Sequence, residues 1–279
     1  MSVKIVTDSS CDLPQTVIEK YDISVVPLYI NFPYQSLLDG VEISRKAFYE
    51  RLPQTVPPPT TSAPAIGSFA KKYQELIEKG AEAILSIHIS SVLSGTVNVA
   101  SLAAESLQNA VVKTFDAGQL SIGTGLVVEA AAKAAAAGKN LDEIMEEVKN
   151  LASRTYTFAA VDTLKYLQRS GRISHLTSSL GSLLQIKPIL QMSQGKVKMG
   201  ISRTINGSVK QLFSILKELG AVEQLNLVHS NAPERAQMLY ETAKDFFPKS
   251  REPFVVDITP VLGAHVGPGI FGFVAVKQE

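Results

Sequence analysis

The sequence has a single cysteine, no tryptophan and no excess charge of either sign. Cys11 alone allows no internal disulfide, so the expected compartment is a reducing cytoplasm. Lys and Arg number 27 against 26 Asp and Glu, a formal net charge of +1. That excludes the strongly basic face that broad nucleic-acid binding requires. No apolar run approaches the ~20 residues of a membrane-spanning helix. The opening MSVKIVTDSSCD carries no signal-peptide pattern.

Known catalytic constellations are missing too. There is no GxSxG nucleophile elbow, no HExxH and no GxxxxGK[ST] phosphate loop. No arginine stands six residues after Cys11, which argues against a phosphatase-type thiolate loop. His88, His175, His229 and His265 are widely spaced, and none sits in a metal-ligand pattern. Asp8 ends a β-like run but lacks the DxD arrangement of aspartate phosphatases. These absences favour a binding protein with no cofactor. The alternative is a stand-alone small-molecule hydrolase or phosphatase using Asp8, Ser94 or His265.

What is present alternates between strand and helix. A length of 279 residues predicts two domains, and the alternation, with a second unit starting near Tyr156, makes them α/β domains over 1–155 and 156–279. VKIVTD (3–8), ISVVPLYINF (23–32), AEAILSIHI (81–89) and VVKTFD (111–116) read as strands. Asp12 is expected to cap a short helix carrying Pro14, and 33–60 to be irregular apart from a helix over 43–52. Ile66, Phe69, Ala70, Tyr73, Leu76 and Ile77 share one face of a helix over 64–79. Asn140 and Glu143 have capping-box spacing. This order implies a mainly parallel sheet in the first domain. In the second, KPILQMSQGKVKMGISRT reads as a hairpin turning at SQGK, so that sheet is mixed. LGAHVGPG reads as a glycine-rich loop before the last strand.

Ligands of such sheets sit at the carboxyl ends of the strands. Three loops there are polar: DSS, SSVLSG and DAGQLS. PPPTTSAPAIGSF (57–69) adds a stiff arm that delivers hydroxyls toward a helix start. Thr61 or Ser62 is placed to cap that helix, a structural role worth ~1 kcal/mol. Ser94 and Gly95 precede a second helix start, where free N–H groups favour anions. Few cations lie near either motif in sequence, so a small singly charged group such as a carboxylate fits better than a triphosphate. His265, set among glycines, is free to reach such a ligand, and imidazole can donate to it. RSGRIS carries two arginines, with Lys165, His175, Lys187 and Arg203 nearby in sequence. This is a solvated basic face, a docking patch for an acidic partner or a contact for phosphate.

In order and spacing, VTDSSCDLP, PTTSAPAIGSF, ISSVLSGT, TFDAGQLSIGTGL, YLQRSGRIS, KPIL and GAHVGPG resemble the DegV family of bacterial lipid-binding proteins. The resemblance spans nearly the whole chain. It implies two α/β domains with a long-chain fatty acid such as palmitate buried between them. It also implies a partner, an ATP-dependent kinase subunit that phosphorylates the bound acid to an acyl phosphate for phospholipid synthesis. On that resemblance Thr61, Ser62, Ser94, Gly95 and His265 form the headgroup site, while Arg169, Arg172 and Arg203 face the partner. Two positions depart from the family pattern. Ala63 stands where glutamine is more typical, and Val92 where many members have glycine.

Overall fold

A computed structural model describes residues 2–107, 111–172, 186–249 and 251–279. Its first sheet is parallel, in the order β2-β1-β6-β7, formed by β1 (Val3–Asp8), β2 (Ser24–Val26), β6 (Ala83–His88) and β7 (Val111–Asp116). β6 is buried throughout and β1 almost so, as expected of parallel strands covered on both faces. On one face lie α3 (Ile66–Glu78) and α4 (Thr96–Glu105), whose Phe69, Tyr73, Ala100 and Ala103 pack on Val6 and Ile84. On the other lie α5 (Ile122–Ala136) and α6 (Leu141–Arg154), the latter opened by the Asn140–Glu143 capping box.

The second sheet is mixed, in the order β10-β9-β8-β13-β11-β12. Its members are β8 (Thr155–Ala160), β9 (Lys187–Ser193), β10 (Lys196–Ser202), β11 (Val222–His229), β12 (Val255–Asp257) and β13 (Phe271–Lys277). Only β11 and β12 pair in parallel. The β9–β10 hairpin turns at Gln194 and Gly195, both at positive φ, which suits a tight two-residue turn. α8 (Ile205–Leu219) and α9 (Pro233–Ala243) cover the outer face through Leu212, Leu216 and Leu239.

Helix α5 joins the two sheets. It packs on β1 and β6 on one side and on β8 and β13 on the other, so most of its 15 residues are buried. Its glycines permit this. A Cβ at Gly125 would lie 2.4 Å from the Cys11 carbonyl oxygen, and one at Gly123 would lie 2.9 Å from Thr157 Oγ1. A continuous core therefore runs from Val3 to Val276 across both sheets.

The region 33–60 is more ordered than its sequence predicts. Pro27 ends the pairing of the 23–32 run with β1, and the chain leaves for a small antiparallel sheet, β4-β3-β5. That sheet comprises β3 (Tyr29–Phe32), β4 (Gln35–Leu38) and β5 (Thr60–Ser62), with α2 (Arg45–Arg51) between β4 and β5 in sequence. β4 and β5 are too short and polar to show strand periodicity; they form by pairing with β3. The predicted Asp12 cap is also corrected. Helix α1 (Gln15–Lys20) starts after Pro14 without a side-chain cap, and Asp12 turns inward at φ 52°.

Candidate headgroup site

A cavity of about 1050 Å³, its open mouth included, lies between the two sheets. The first-sheet side contributes Ile89, Leu93 and Leu120; β9 contributes Leu190 and Met192; Leu167 comes from α7 (Leu164–Ser170). Of the predicted headgroup residues, Thr61, Ser94 and His265 line this cavity. An adjoining polar recess shares Thr61, Ser94 and Arg172 with it and adds Ser62, Ala63, Gly95 and Ser91. Thus residues from four segments meet at one end of an apolar cavity.

Each side chain is placed by a different local device. Thr61 and Ser62 lie in β5, paired to Ile30 and Tyr29 of β3. They do not cap α3, whose N-cap is Ala65 with no side-chain hydrogen bond. The tight proline arm ends in strand pairing, so the hydroxyls are presented along a sheet edge. Ser62 Oγ accepts from Asn31 Nδ2 at 3.2 Å. Ser94 closes the loop after β6, where its Oγ accepts from the Thr96 N–H at 3.3 Å and lies 2.8 Å from Thr96 Oγ1. Gly95 is the N-cap of α4 and lines the recess beside Ser94.

His265 is not in a loop. Residues Pro260–Val266 form a helix, α10, with Pro260 in its first turn and His265 in its last; only Gly267–Gly269 remain as loop. Glycine is required at 263 because Tyr49 of α2 fills the space of a side chain: a Cβ built there would lie 2.5 Å from Tyr49 Oη. His265 Nε2 sits 2.7 Å from Thr61 Oγ1, a contact across 204 residues of sequence. Burial, and secondarily the charge of Arg172, push the imidazole down to about 4. The ring is therefore neutral at pH 7. With the proton on Nε2 it donates to Thr61, which leaves the Thr61 hydroxyl proton for an anion in the cavity.

Arg172 stands at the mouth, exposed, with its guanidinium close enough to act on His265. Sequence order set it apart from the headgroup residues; the fold brings it beside them. Arg169, in the last turn of α7, and Arg203, after β10, are exposed and line neither cavity. Lys187 is engaged with Asp162 at 2.9 Å. His175 lies outside the described residues. Ile122, Leu126 and Ile189 are core residues and do not face the cavity. Ser10 and Ser121 do line it, and neither was singled out by sequence, although both lie in polar loops flagged at strand ends. Their hydroxyls donate inward, Ser10 to Asp8 and Ser121 to Asp12 at 2.6 Å.

Residues 2–278 match the family model described as that of uncharacterised DegV family proteins. The chain belongs to the DegV family. A DegV domain-containing protein of Streptomyces coelicolor is 36% identical over 279 residues, 99% of each chain. Among solved structures, a DegV family protein of Thermus thermophilus described as binding fatty acid is 30% identical with a TM-score of 0.91, covering 100% of both chains. DegV of Bacillus subtilis, described as a fatty acid binding protein, is 29% identical at 0.89, also over 100% of both. A stearic-acid-binding protein of Eubacterium ventriosum is 25% identical at 0.87, over 99% and 98%. These DegV structures share the parallel-plus-mixed arrangement described above. Among the described residues no helix is long and apolar enough to cross a membrane, and no cluster of His, Cys, Asp and Glu is arranged to hold a metal.

Proposed function

We propose that this DegV protein binds a long-chain fatty acid, tail in the cavity and carboxylate at the mouth. The observation that carries the reading is a mainly apolar cavity with a polar mouth, where Thr61, Ser94, His265 and Arg172 gather. Burying each methylene contributes ~0.8 kcal/mol, so ~14 of them gain roughly 11 kcal/mol before ordering costs. Affinity comes mainly from the tail, and the polar end sets orientation. The fatty acids named for its structural relatives support the same reading.

The finer reading is a division of labour. The protein acts as the lipid-binding subunit of a two-component fatty acid kinase and presents the carboxylate to a separate ATP-dependent subunit, which makes the acyl phosphate. Hydroxyls and a neutral imidazole hold the carboxylate mildly, leaving it a usable nucleophile. Arg169, Arg172 and Arg203 are the proposed docking residues, with Arg172 placed to serve both mouth and partner.

A stand-alone hydrolase has less support. Asp8 is fully buried, and Ser94 Oγ bonds Thr96, with no imidazole hydrogen-bonded to it among the described residues. Native mass spectrometry of the purified protein tests the binding reading: a co-purified fatty acid is the expected result. Incubation with ATP and palmitate tests the division of labour. Acyl phosphate should form only when a kinase subunit is added, and its formation by this protein alone would reject the proposal.

A further inference from the structure

By sequence α10 belongs to the second half of the chain, but the side chains that hold its start come from the first. Tyr49 of α2 donates its hydroxyl proton to the Ile258 carbonyl at 3.2 Å. Asp12 accepts the Thr259 backbone N–H at 2.8 Å, and Asp39 accepts the Thr259 hydroxyl at 2.6 Å. Thr259 is the N-cap of α10, yet its own side chain does not cap the helix. Two carboxylates, 4% and 1% exposed, hold the N-cap residue itself, one by its backbone N–H and one by its hydroxyl.

The same pair is tied to the cavity wall and to α2. Asp12 also accepts from the Ser121 hydroxyl at 2.6 Å and from Arg45 at 3.0 Å. Asp39 accepts from Ser9 at 2.7 Å, while its Oδ1 is buried with no partner among the described residues. Nothing in the ligand reading uses either carboxylate, and neither lines the cavity.

We propose that Asp12 and Asp39 are positioning residues for the headgroup site: acting from the first domain, they fix the first turn of α10, which carries His265 to the mouth about 9 Å further along its axis. The inference rests on the reading that His265 serves a carboxylate, and deepens it. Headgroup recognition becomes sensitive to the charge of side chains that never touch the ligand.

The charged and titratable groups facing the pair are Arg45 and Tyr49 from α2, Asp8 at the end of β1, Cys11 beside it and Asp257 from β12. Burial pushes Asp12 up to about 6 against the pull of Arg45 and Ser121, and burial likewise raises Asp39. A fall from about pH 7.5 to about 5.5 therefore adds a proton to Asp12, removing an acceptor site and the charge opposite Arg45. His265, held at about 4, stays neutral over that interval.

Full-length wild type, Asp12→Asn, Asp39→Asn, Thr259→Val and His265→Ala are compared for palmitate dissociation constant at both pH values. The His265 side-chain 15N resonances are followed by NMR in the first four. Asp12→Asn should bind about tenfold more weakly than wild type at the higher pH. The gap should close to within about threefold at the lower pH, where wild type has lost the same charge. The acid's own titration is common to both proteins and cancels in the ratio. Thr259→Val keeps both carboxylates and removes one hydroxyl; it should shift the His265 resonances and carries the test should an Asp variant fail to fold. Wild-type affinity of Asp12→Asn at the higher pH, a gap unchanged by pH, or unmoved His265 resonances in the Asp variants and Thr259→Val would each overturn the positioning role. If His265→Ala also binds like wild type, the carboxylate reading falls with it; if His265→Ala is weakened while the other variants are not, only the positioning role falls.

Discussion

His88 and His265 each approach a hydroxyl through Nε2, at 2.8 and 2.7 Å, and the two are built for different work. His88 is fully buried, edge-on to Phe69. Tyr73 donates to Ser86, Ser86 meets His88 Nε2, and His88 Nδ1 lies 2.9 Å from Asp8. Asp8 in turn accepts from the hydroxyl and backbone N–H of Ser10. Burial pushes Asp8 up, but His88 and Ser10 outweigh it and hold the carboxyl below its usual range. Every partner in that chain is protein. Among the described residues, the His265 ring makes one hydrogen bond, at the mouth of a cavity and near Arg172. The same functional groups act as a core staple where all are satisfied internally, and as a site where capacity remains.

The largest expected effect falls on the staple. His88→Ala strips a fully buried carboxylate of its main partner and should cost about 3–5 kcal/mol in urea unfolding. Palmitate affinity of the protein that remains folded should change less than about threefold. If the folded fraction loses palmitate instead, His88 belongs to the site and the contrast collapses.

His265→Ala should do the reverse, weakening fatty acid binding about 10-fold to 150-fold, or ~1.5–3 kcal/mol, with little change in the unfolding midpoint. Ser94→Ala sharpens the point when the acid is compared with a fatty alcohol of equal length. The alcohol keeps the tail energy and lacks the charge, so it should lose less. Equal losses would mean that Ser94 shapes the wall and does not read the carboxylate.

A smaller effect is expected in the pH dependence of stability. The folded-state value of His265 is depressed to about 4 from 6.5. Between those values the unfolded chain holds a proton on this residue that the folded chain does not, so the residue costs stability as pH falls through the window. Asp12, raised from 3.8 to about 6, has the opposite sign: the folded protein holds the extra proton, and stability falls as pH rises from about 4 to 6. Thermal melts of His265→Ala should therefore improve relative to wild type as pH drops from 6.5 toward 4. A constant difference would show that His265 titrates normally.

Smallest is the response to the mouth arginine. Arg172→Gln removes the second cause of the depressed His265 value and should raise the titration midpoint seen by NMR. Arg203→Ala, at a residue that lines neither cavity, should leave that midpoint and palmitate affinity unchanged and slow only phosphorylation by a kinase subunit. Equal NMR responses to the two variants would remove Arg172 from the site.

Much of the architecture was legible because it rests on local chemistry. The Asn140–Glu143 capping box, the turn at Gln194–Gly195 and the buried runs of β1 and β6 each depend on neighbours within a few residues. Thr61, Ser62, Ser94, Gly95 and His265 were named through family resemblance and the polar loops at strand ends. Their local settings were less legible. PTTSAP read as a helix cap and became strand β5, because pairing with Tyr29 and Ile30 satisfies a backbone that no local pattern could pair. GAHVGPG read as a loop and became the end of α10, because its start is held by Asp12, Asp39 and Tyr49, all more than 200 residues away in sequence.

By itself, then, the sequence determined the alternation of strands and helices, the two sheet types and the chemical kind of group at the site. Periodicity, turn residues and side-chain polarity are properties of short segments. Only the tertiary structure decided that Thr61 meets His265, that Arg172 joins them, and that two buried carboxylates from the first half of the chain hold a helix from the second half. Such pairings depend on where packing stops the chain in space, and a buried carboxylate can be satisfied by any donor that packing brings within about 3 Å.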